Sequence, residues 1–399
     1  MSERGGATVL FFWHDIWLPH SRFFVDKLDK CGNTESSIVL AGPAERTGAS
    51  AIFTVAAERF GAVKNVISEY PKSYRFRETI CRFREWVRLV KKYSPDVIFV
   101  ADEGMSLNVL WAGIANFLFG RAVVLFYGFE NIVQGVGWND LSGSLTVRQF
   151  AICLRKAARR LVLETLLMPI RRRVVHGGLV SYKECADVLH SYRWNPVMVE
   201  CWWPIDITAF KRGGSRRELR WNDGYVVGFV GRFIEEKGIL LLVEAAKFVD
   251  ANIRFVFVGD GPMRGKVVRR INALGLEERF EIIPPLDAEK LAEFYRSIDL
   301  LVLPSISTET WKEQFGRVLV EARCCGAKVA GSNSGAIPTV VRNADRIFSE
   351  GNVEQLAALI QREVRCGDGD ANVASAVGPE IFMERILSLA YQCRSKMRE

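Results

Sequence analysis

A chain of 399 residues exceeds what one hydrophobic core ordinarily serves and accommodates two domains. Apolar residues make up 49% and charged residues 25%, ordinary for a folded soluble protein and an argument against disorder. The net charge of +8 is uneven: residues 1–205 hold 26 Lys and Arg against 19 Asp and Glu, the remainder 28 against 27, and with no nucleic-acid motif in sight the basic half is expected to meet an anionic membrane surface rather than nucleic acid.

The first segment, MSERGGATVLFFWHDIW, lacks the long apolar run and small-residue cleavage site of a signal peptide. Within it, TVLFFW (8–13) reads as a buried strand and PHSRFFVDKLDKCG as the helix that follows. SSIVLAG (36–42) is the next strand. From Tyr74 to Tyr93 apolar residues recur at helical spacing (Phe76, Ile80, Phe83, Val87, Val90), with Arg and Lys on the opposite face. DVIFVAD (96–102) and AVVLFYG (122–128) are continuous apolar runs, as strands covered on both faces require. Between them Met105 to Phe119 is too short to span a membrane and reads as a buried helix. Arg148 to Arg173 alternates apolar and basic residues at helical spacing. It fits equally a core helix with a solvated basic face and a membrane-surface helix. The nine cysteines are scattered without metal-ligand spacing, which implies free thiols in a reducing cytoplasm. The expected location is therefore cytoplasmic, with peripheral contact at the inner membrane face.

A polar, glycine-containing stretch, PIDITAFKRGGSRRELRWNDG (204–224), reads as a linker. After it strand and helix alternate again: YVVGFVG (225–231), RFVFVGDG (254–261), FEIIPP (280–285), LLVLPS (300–305) and AKVAG (327–331). The expected fold class is α/β, two Rossmann-like doubly wound domains facing across a cleft.

Three constellations carry chemistry. Gly231 and Arg232 end a strand and Lys237 and Gly238 open a helix, which puts two cations where a helix N-terminus already favours anions. An Arg fork and a Lys point charge suit a diphosphate; two surface cations offset by Glu235 and Glu236 fit the same pattern. GDGP (259–262) permits a tight turn and close backbone approach. Glu313 and Glu321 lie eight residues apart around GRVLVEA. On a continuous helix that offset gives one face and about 12 Å, too long for a glycosidase pair but suited to two hydroxyl-rich ends of one ligand. SNSGAIP (332–338) adds a small-residue nest for phosphate oxygens.

From Val226 to Val341 the order and spacing of these segments resemble the nucleotide-sugar-binding half of the GT-B glycosyltransferases of family 4, the glycosyl transferases group 1. The resemblance implies that Arg232 and Lys237 hold the donor diphosphate and that Glu313 contacts the transferred sugar. By the same resemblance Glu321 binds the ribose, and Gln314, Phe315 and Gly316 face the sugar and phosphates. Pro285 and Leu286 then stand where backbone groups read the base. Gly231, Gly259, Ser334 and Gly335 complete the donor site. The implied activity is metal-independent, retaining transfer of a sugar from a nucleotide-diphosphate sugar to a glycan or lipid-linked acceptor, in cell-surface polysaccharide or glycolipid synthesis. No cofactor or metal is expected. The implied domains are 1–205 for the acceptor and 206–379 for the donor, with a C-terminal helix, 380–399, returning to the first.

The first half departs from the family's pattern: HDIWLPHSRFF stands where many members have a Gly-rich loop, and FYGFENI (126–132) where several carry a histidine. His14, Glu103, Tyr127 and Glu130 are the acceptor-side candidates; for the glutamates helix capping is the plainer alternative. Rival readings are an epimerase, a transferase acting on a soluble small acceptor, and a non-catalytic nucleotide-sugar-binding relative within a biosynthetic assembly.

Overall fold

In the computed structural model the described residues are 8–13, 37–43, 64–68, 76–102, 104–129, 163–221, 224–309, 311–365 and 378–397. They divide into two compact units, Met1–Trp203 with Pro379–Glu399, and Pro204–Gly378. No helix among the described residues is long and apolar enough to cross a membrane.

The first unit is built on a seven-stranded sheet of order β3-β2-β1-β4-β5-β6-β7 whose neighbours all pair in parallel. β1 is Thr8–Trp13, β2 Ser37–Pro43 and β3 Lys64–Ser68. Helix α1 (Phe76–Tyr93) buries Trp86, Leu89 and Val90 and leaves Arg84, Arg88, Lys91 and Lys92 exposed. Trp86 packs its ring 5.2 Å from that of Phe12 in β1. β4 (Val97–Ala101) is buried at every position, as its unbroken apolar run requires.

Helix α2 (Leu107–Phe119) is capped by Ser106, whose Oγ accepts from the Val109 N–H at 3.2 Å. Its two buried asparagines are satisfied: Asn108 donates to Asp102, and Asn116 bonds both N–H and C=O of Ala122. β5 (Val123–Gly128) follows. Of the segment expected to be one long helix, residues 148–162 lie outside the described residues; a π-helical turn at Leu163–Leu167 leads into helix α3 (Met168–Val174). Arg171 in α3 is fully buried and donates to the carbonyls of Gly104, Met105 and Ser106, fastening the turn after β4. Burial lowers its pKa to about 10, so it keeps its charge at neutral pH. β6 (Gly177–Val180), helix α4 (Lys183–Ser191) and β7 (Val197–Glu200) complete the run.

The second unit repeats the plan with six parallel strands in the order β10-β9-β8-β11-β12-β13. Along the chain these are β8 (Tyr225–Val230), helix α5 (Ile239–Ala245), β9 (Ile253–Val258), helix α6 (Arg264–Ala273) and β10 (Phe280–Ile283). Helix α7 (Ala288–Ser297), β11 (Leu300–Leu303), helix α8 (Arg317–Cys325) and β12 (Lys328–Ser332) come next. A short helix α9 (Ile337–Val341), β13 (Ile347–Phe348) and helix α10 (Val353–Arg365) close the unit. The strand order reverses between β8 and β11, and ligands of open α/β sheets bind outside the carboxyl ends of strands at such a point.

The last helix, α11 (Pro379–Lys396), joins the core of the first unit. Phe382 is fully buried, with its ring 5.8 Å from Phe99, 5.7 Å from Tyr127 and 5.3 Å from Trp203. Arg394 donates to the Asp96 carbonyl at 3.1 Å. Phe382→Ala is expected to destabilise the first unit by about 3–5 kcal/mol, seen by calorimetry as a lowered unfolding midpoint. A midpoint unchanged within error contradicts that packing.

Candidate functional site

The turn after β8 and the turn after β11 are built as one piece. Gly238 closes the short 3-10 turn Glu235–Lys237 with φ of 62°. A Cβ there would stand 1.9 Å from the Pro304 carbonyl oxygen, so only glycine lets the two chains meet. The Ile306 N–H donates to the Glu236 carbonyl at 2.8 Å, and this fixes the second turn against the first. From the other side Gly259 abuts the Gly231 carbonyl, where a Cβ would approach to 2.0 Å. The GDGP turn expected to face a ligand therefore packs first against the β8 turn.

On this platform Lys237 Nζ lies 2.6 Å from Glu313 Oε2, and the Ser305 hydroxyl donates to the same oxygen at 2.8 Å. The pair is screened from water, with side-chain exposures of 19% for Lys237 and 8% for Glu313. Trp311 lays its ring centroid 5.3 Å from the ammonium.

The turn after β12 ties in through the backbone of Glu313, whose carbonyl accepts from the Ala336 N–H at 3.0 Å and whose N–H points to Ser334 Oγ at 3.4 Å. Ser334 Oγ is 2.9 Å from Ser307 Oγ, and Ser307 Oγ donates to Glu350 Oε1 at 2.7 Å. A carboxylate only accepts, so the Ser307 proton is spent on Glu350 and the Ser334 hydroxyl must donate to Ser307. Ser334 therefore has no hydroxyl proton left for a ligand. Its backbone N–H and that of Gly335 make no hydrogen bond among the described residues, but Ser334 is fully buried, so the half-buried Gly335 N–H is the donor on offer.

The structure places Gly231, Arg232, Lys237, Gly259, Pro285, Leu286, Glu313, Gln314, Phe315, Gly316, Ser334 and Gly335 beyond the carboxyl ends of β8, β9, β10, β11 and β12. Arg232 is exposed, with no hydrogen bond or ion pair from its guanidinium among the described residues. Pro285 and Leu286 follow β10, two strands or about 10 Å along the edge from β8.

Glu321 requires a correction. The expected helical offset between the two glutamates fails because α8 begins at Arg317 and Glu313 lies in the turn before it. Glu321 alone is on the helix, 4% exposed, accepting from the Tyr295 hydroxyl at 3.1 Å and paired with Arg317 Nε at 3.0 Å. Those are its partners, and none of the Lys237 cluster is among them.

Tyr127 is also displaced from its expected role. It belongs to β5, not the turn after it, and is 2% exposed. Its hydroxyl donates to the Cys201 carbonyl at 3.1 Å and accepts from Ser181 at 3.0 Å, so it is a core group. His14, Glu103 and Glu130 lie outside the described residues.

Sequence reasoning missed Ser305, Ser307, Trp311 and Glu350. Ser305 ends a recognised strand segment and could have been found. Glu350, 43 residues from Ser307, could not.

Burial raises the Glu321 carboxyl above its ordinary value of 4.5, against the opposing pull of Arg317 and Tyr295. A carboxyl raised on folding costs stability as pH rises through the window between the unfolded and folded values. Glu321→Gln is therefore expected to raise the unfolding midpoint at pH 7, and the gain should vanish as pH falls to the ordinary carboxylate range. Calorimetry of both proteins across pH checks this; a variant less stable than wild type at pH 7 contradicts it.

Similarity to known proteins bears on this geometry. The family profile "Glycosyl transferases group 1" matches residues 212–375. A 2-deoxystreptamine glucosyltransferase of Streptomyces kanamyceticus is 31% identical over 286 residues, 70% of each chain. A D-inositol 3-phosphate glycosyltransferase of Mycobacterium marinum is 29% identical over 199 residues, 47% of this chain and 41% of that protein, so the match spans less than half the relative's length. The solved Anabaena HepE in complex with UDP-glucose superposes with a TM-score of 0.63 at 15% identity, over 98% of this chain and 99% of that one, and shares the fold.

Proposed function

Since the chain belongs to the glycosyl transferases group 1, we propose that its second unit binds a nucleotide-diphosphate sugar and that the protein transfers the sugar with retained anomeric configuration, without a metal. The observation that carries the reading is the Lys237–Glu313 pair beside the unbonded N–H of the half-buried Gly335, at the switch point of the second sheet. Departure of the nucleotide gathers negative charge on the diphosphate. The exposed Arg232, the Gly335 N–H and Lys237, once it exchanges Glu313 for the phosphate on donor binding, meet that charge. As the phosphate takes the ammonium, Glu313 is released to accept hydrogen bonds from the sugar hydroxyls, still oriented by Ser305. Retention follows if the acceptor hydroxyl attacks from the face that the nucleotide leaves and passes its proton to the departing diphosphate oxygen, with no protein nucleophile.

The basic first half favours a glycan or lipid-linked acceptor in polysaccharide or glycolipid synthesis, with the protein cytoplasmic and peripheral on the inner membrane face. A second reading, a small soluble cyclitol, is favoured by similarity to the D-inositol 3-phosphate and 2-deoxystreptamine glycosyltransferases. Product analysis with purified protein, a panel of nucleotide-sugars and both acceptor types separates the two.

Lys237→Ala and Glu313→Ala are each expected to cut turnover by about two to three orders of magnitude, as loss of one preorganised charge-stabilising group does, with the fold retained by circular dichroism. Turnover near wild type in both variants overturns the assignment.

A further inference from the structure

The edge formed by the amino ends of the first unit's strands takes no part in the site described above. α2 ends there, and its last residues Phe117, Leu118 and Phe119 are 60%, 55% and 46% exposed. Three consecutive large apolar residues in water mark a surface meant to be covered. Cations surround them. Lys91 holds its ammonium 4.2 Å from the Phe119 ring centroid. Lys92 at the end of α1 and Arg121 just past α2 are both exposed.

Farther along the same edge, beside β6 and β7, opens a cavity of about 550 Å³ between the ends of α3 and α11. Its charged lining consists of Arg172, Arg193 and Lys396, with no acidic residue. Arg172 donates to the Arg193 carbonyl, while the Arg193 and Lys396 side chains have no hydrogen bond or ion pair among the described residues. Met397, 57% exposed, also lines the cavity. Helix macrodipoles account for cations in the last turns of α1, α3 and α11. Arg121 and Arg193 stand two residues past the ends of α2 and α4, where the same dipoles favour cations, but no dipole accounts for the Phe-Leu-Phe run.

We propose that this edge docks on an anionic phospholipid bilayer: the α2 tip enters the boundary between headgroups and acyl chains, and the cavity and surrounding cations receive lipid phosphates. The inference rests on the membrane contact in the functional reading and moves it from helix faces to helix ends. The apolar face of α1 cannot insert, since Trp86, Leu89 and Val90 are spent on the core. An acidic protein partner would match the charge, but the apolar tip beside cations favours lipid.

The test is cosedimentation of the full chain with phosphatidylcholine vesicles, with and without phosphatidylglycerol, at low and high salt. Binding is expected only to the anionic vesicles and should weaken with salt, as charges screened beyond about 8 Å do. The double variant Arg193→Glu, Lys396→Glu should bind roughly tenfold more weakly or worse. Phe117→Ser with Phe119→Ser should also lower binding. These positions are exposed, so both variants should keep the wild-type unfolding midpoint and wild-type transfer to a water-soluble acceptor. Failure of docking thus leaves the catalytic reading standing, and absence of transfer leaves docking standing. Wild-type vesicle binding by both variants, equal binding to neutral vesicles, or binding to polyglutamate but not to vesicles overturns the proposal.

Discussion

The ion pair between Lys237 and Glu313 is the constraint around which the second unit's turns are arranged. Two charges withdrawn from water lose hydration that their attraction only partly repays, and removing one partner of a well-buried pair leaves a penalty of about 3–5 kcal/mol. Such a pair is tolerable only where further hydrogen bonds complete it. Ser305 supplies one to the carboxylate, and Trp311 offers its ring face to the ammonium. A stability argument alone would favour apolar residues here. The pair instead keeps a cation fixed at a strand switch point, ready for a more strongly charged ligand.

Fixing that cation requires the surrounding backbone to be close-packed. Gly238 against Pro304 and Gly259 against Gly231 bring three turns within van der Waals reach. Glu350 sets the proton direction of the Ser307–Ser334 pair, so the Ser334 hydroxyl proton is held within the turn. The first unit uses the same sheet plan with different priorities. Its buried Arg171 stabilises the turn after β4 through three carbonyls, and its basic surface lies at the opposite ends of the strands from that turn.

Much of the fold was legible because buried parallel strands are written as unbroken apolar runs. VIFVA, VVLFYG and LLVL need no periodicity to be recognised, and each is buried throughout. β3 (KNVIS), β6 (GGLV), β7 (VMVE) and the two-residue β13 escaped notice. They are short, glycine-bearing or only partly buried, and sheet neighbours rather than local preference make them strands. That Arg232, Lys237, Glu313 and Ser334 lie beyond strand carboxyl ends could be read because each follows an obvious strand and precedes a helix. Glu321 was misplaced because the helix was assumed to begin before Glu313, whereas it starts after Gly316. Tyr127 was misread because nothing local shows that Ser181 and Cys201 close over its hydroxyl. Glu350 enters only through tertiary contact.

The most direct measurement is a crystal structure of the full chain with a nucleoside diphosphate bound. The terminal phosphate is expected within hydrogen-bond reach of Lys237 and of the Gly335 N–H, with the Lys237–Glu313 contact opened. A phosphate bound elsewhere, with that ion pair intact, would contradict it.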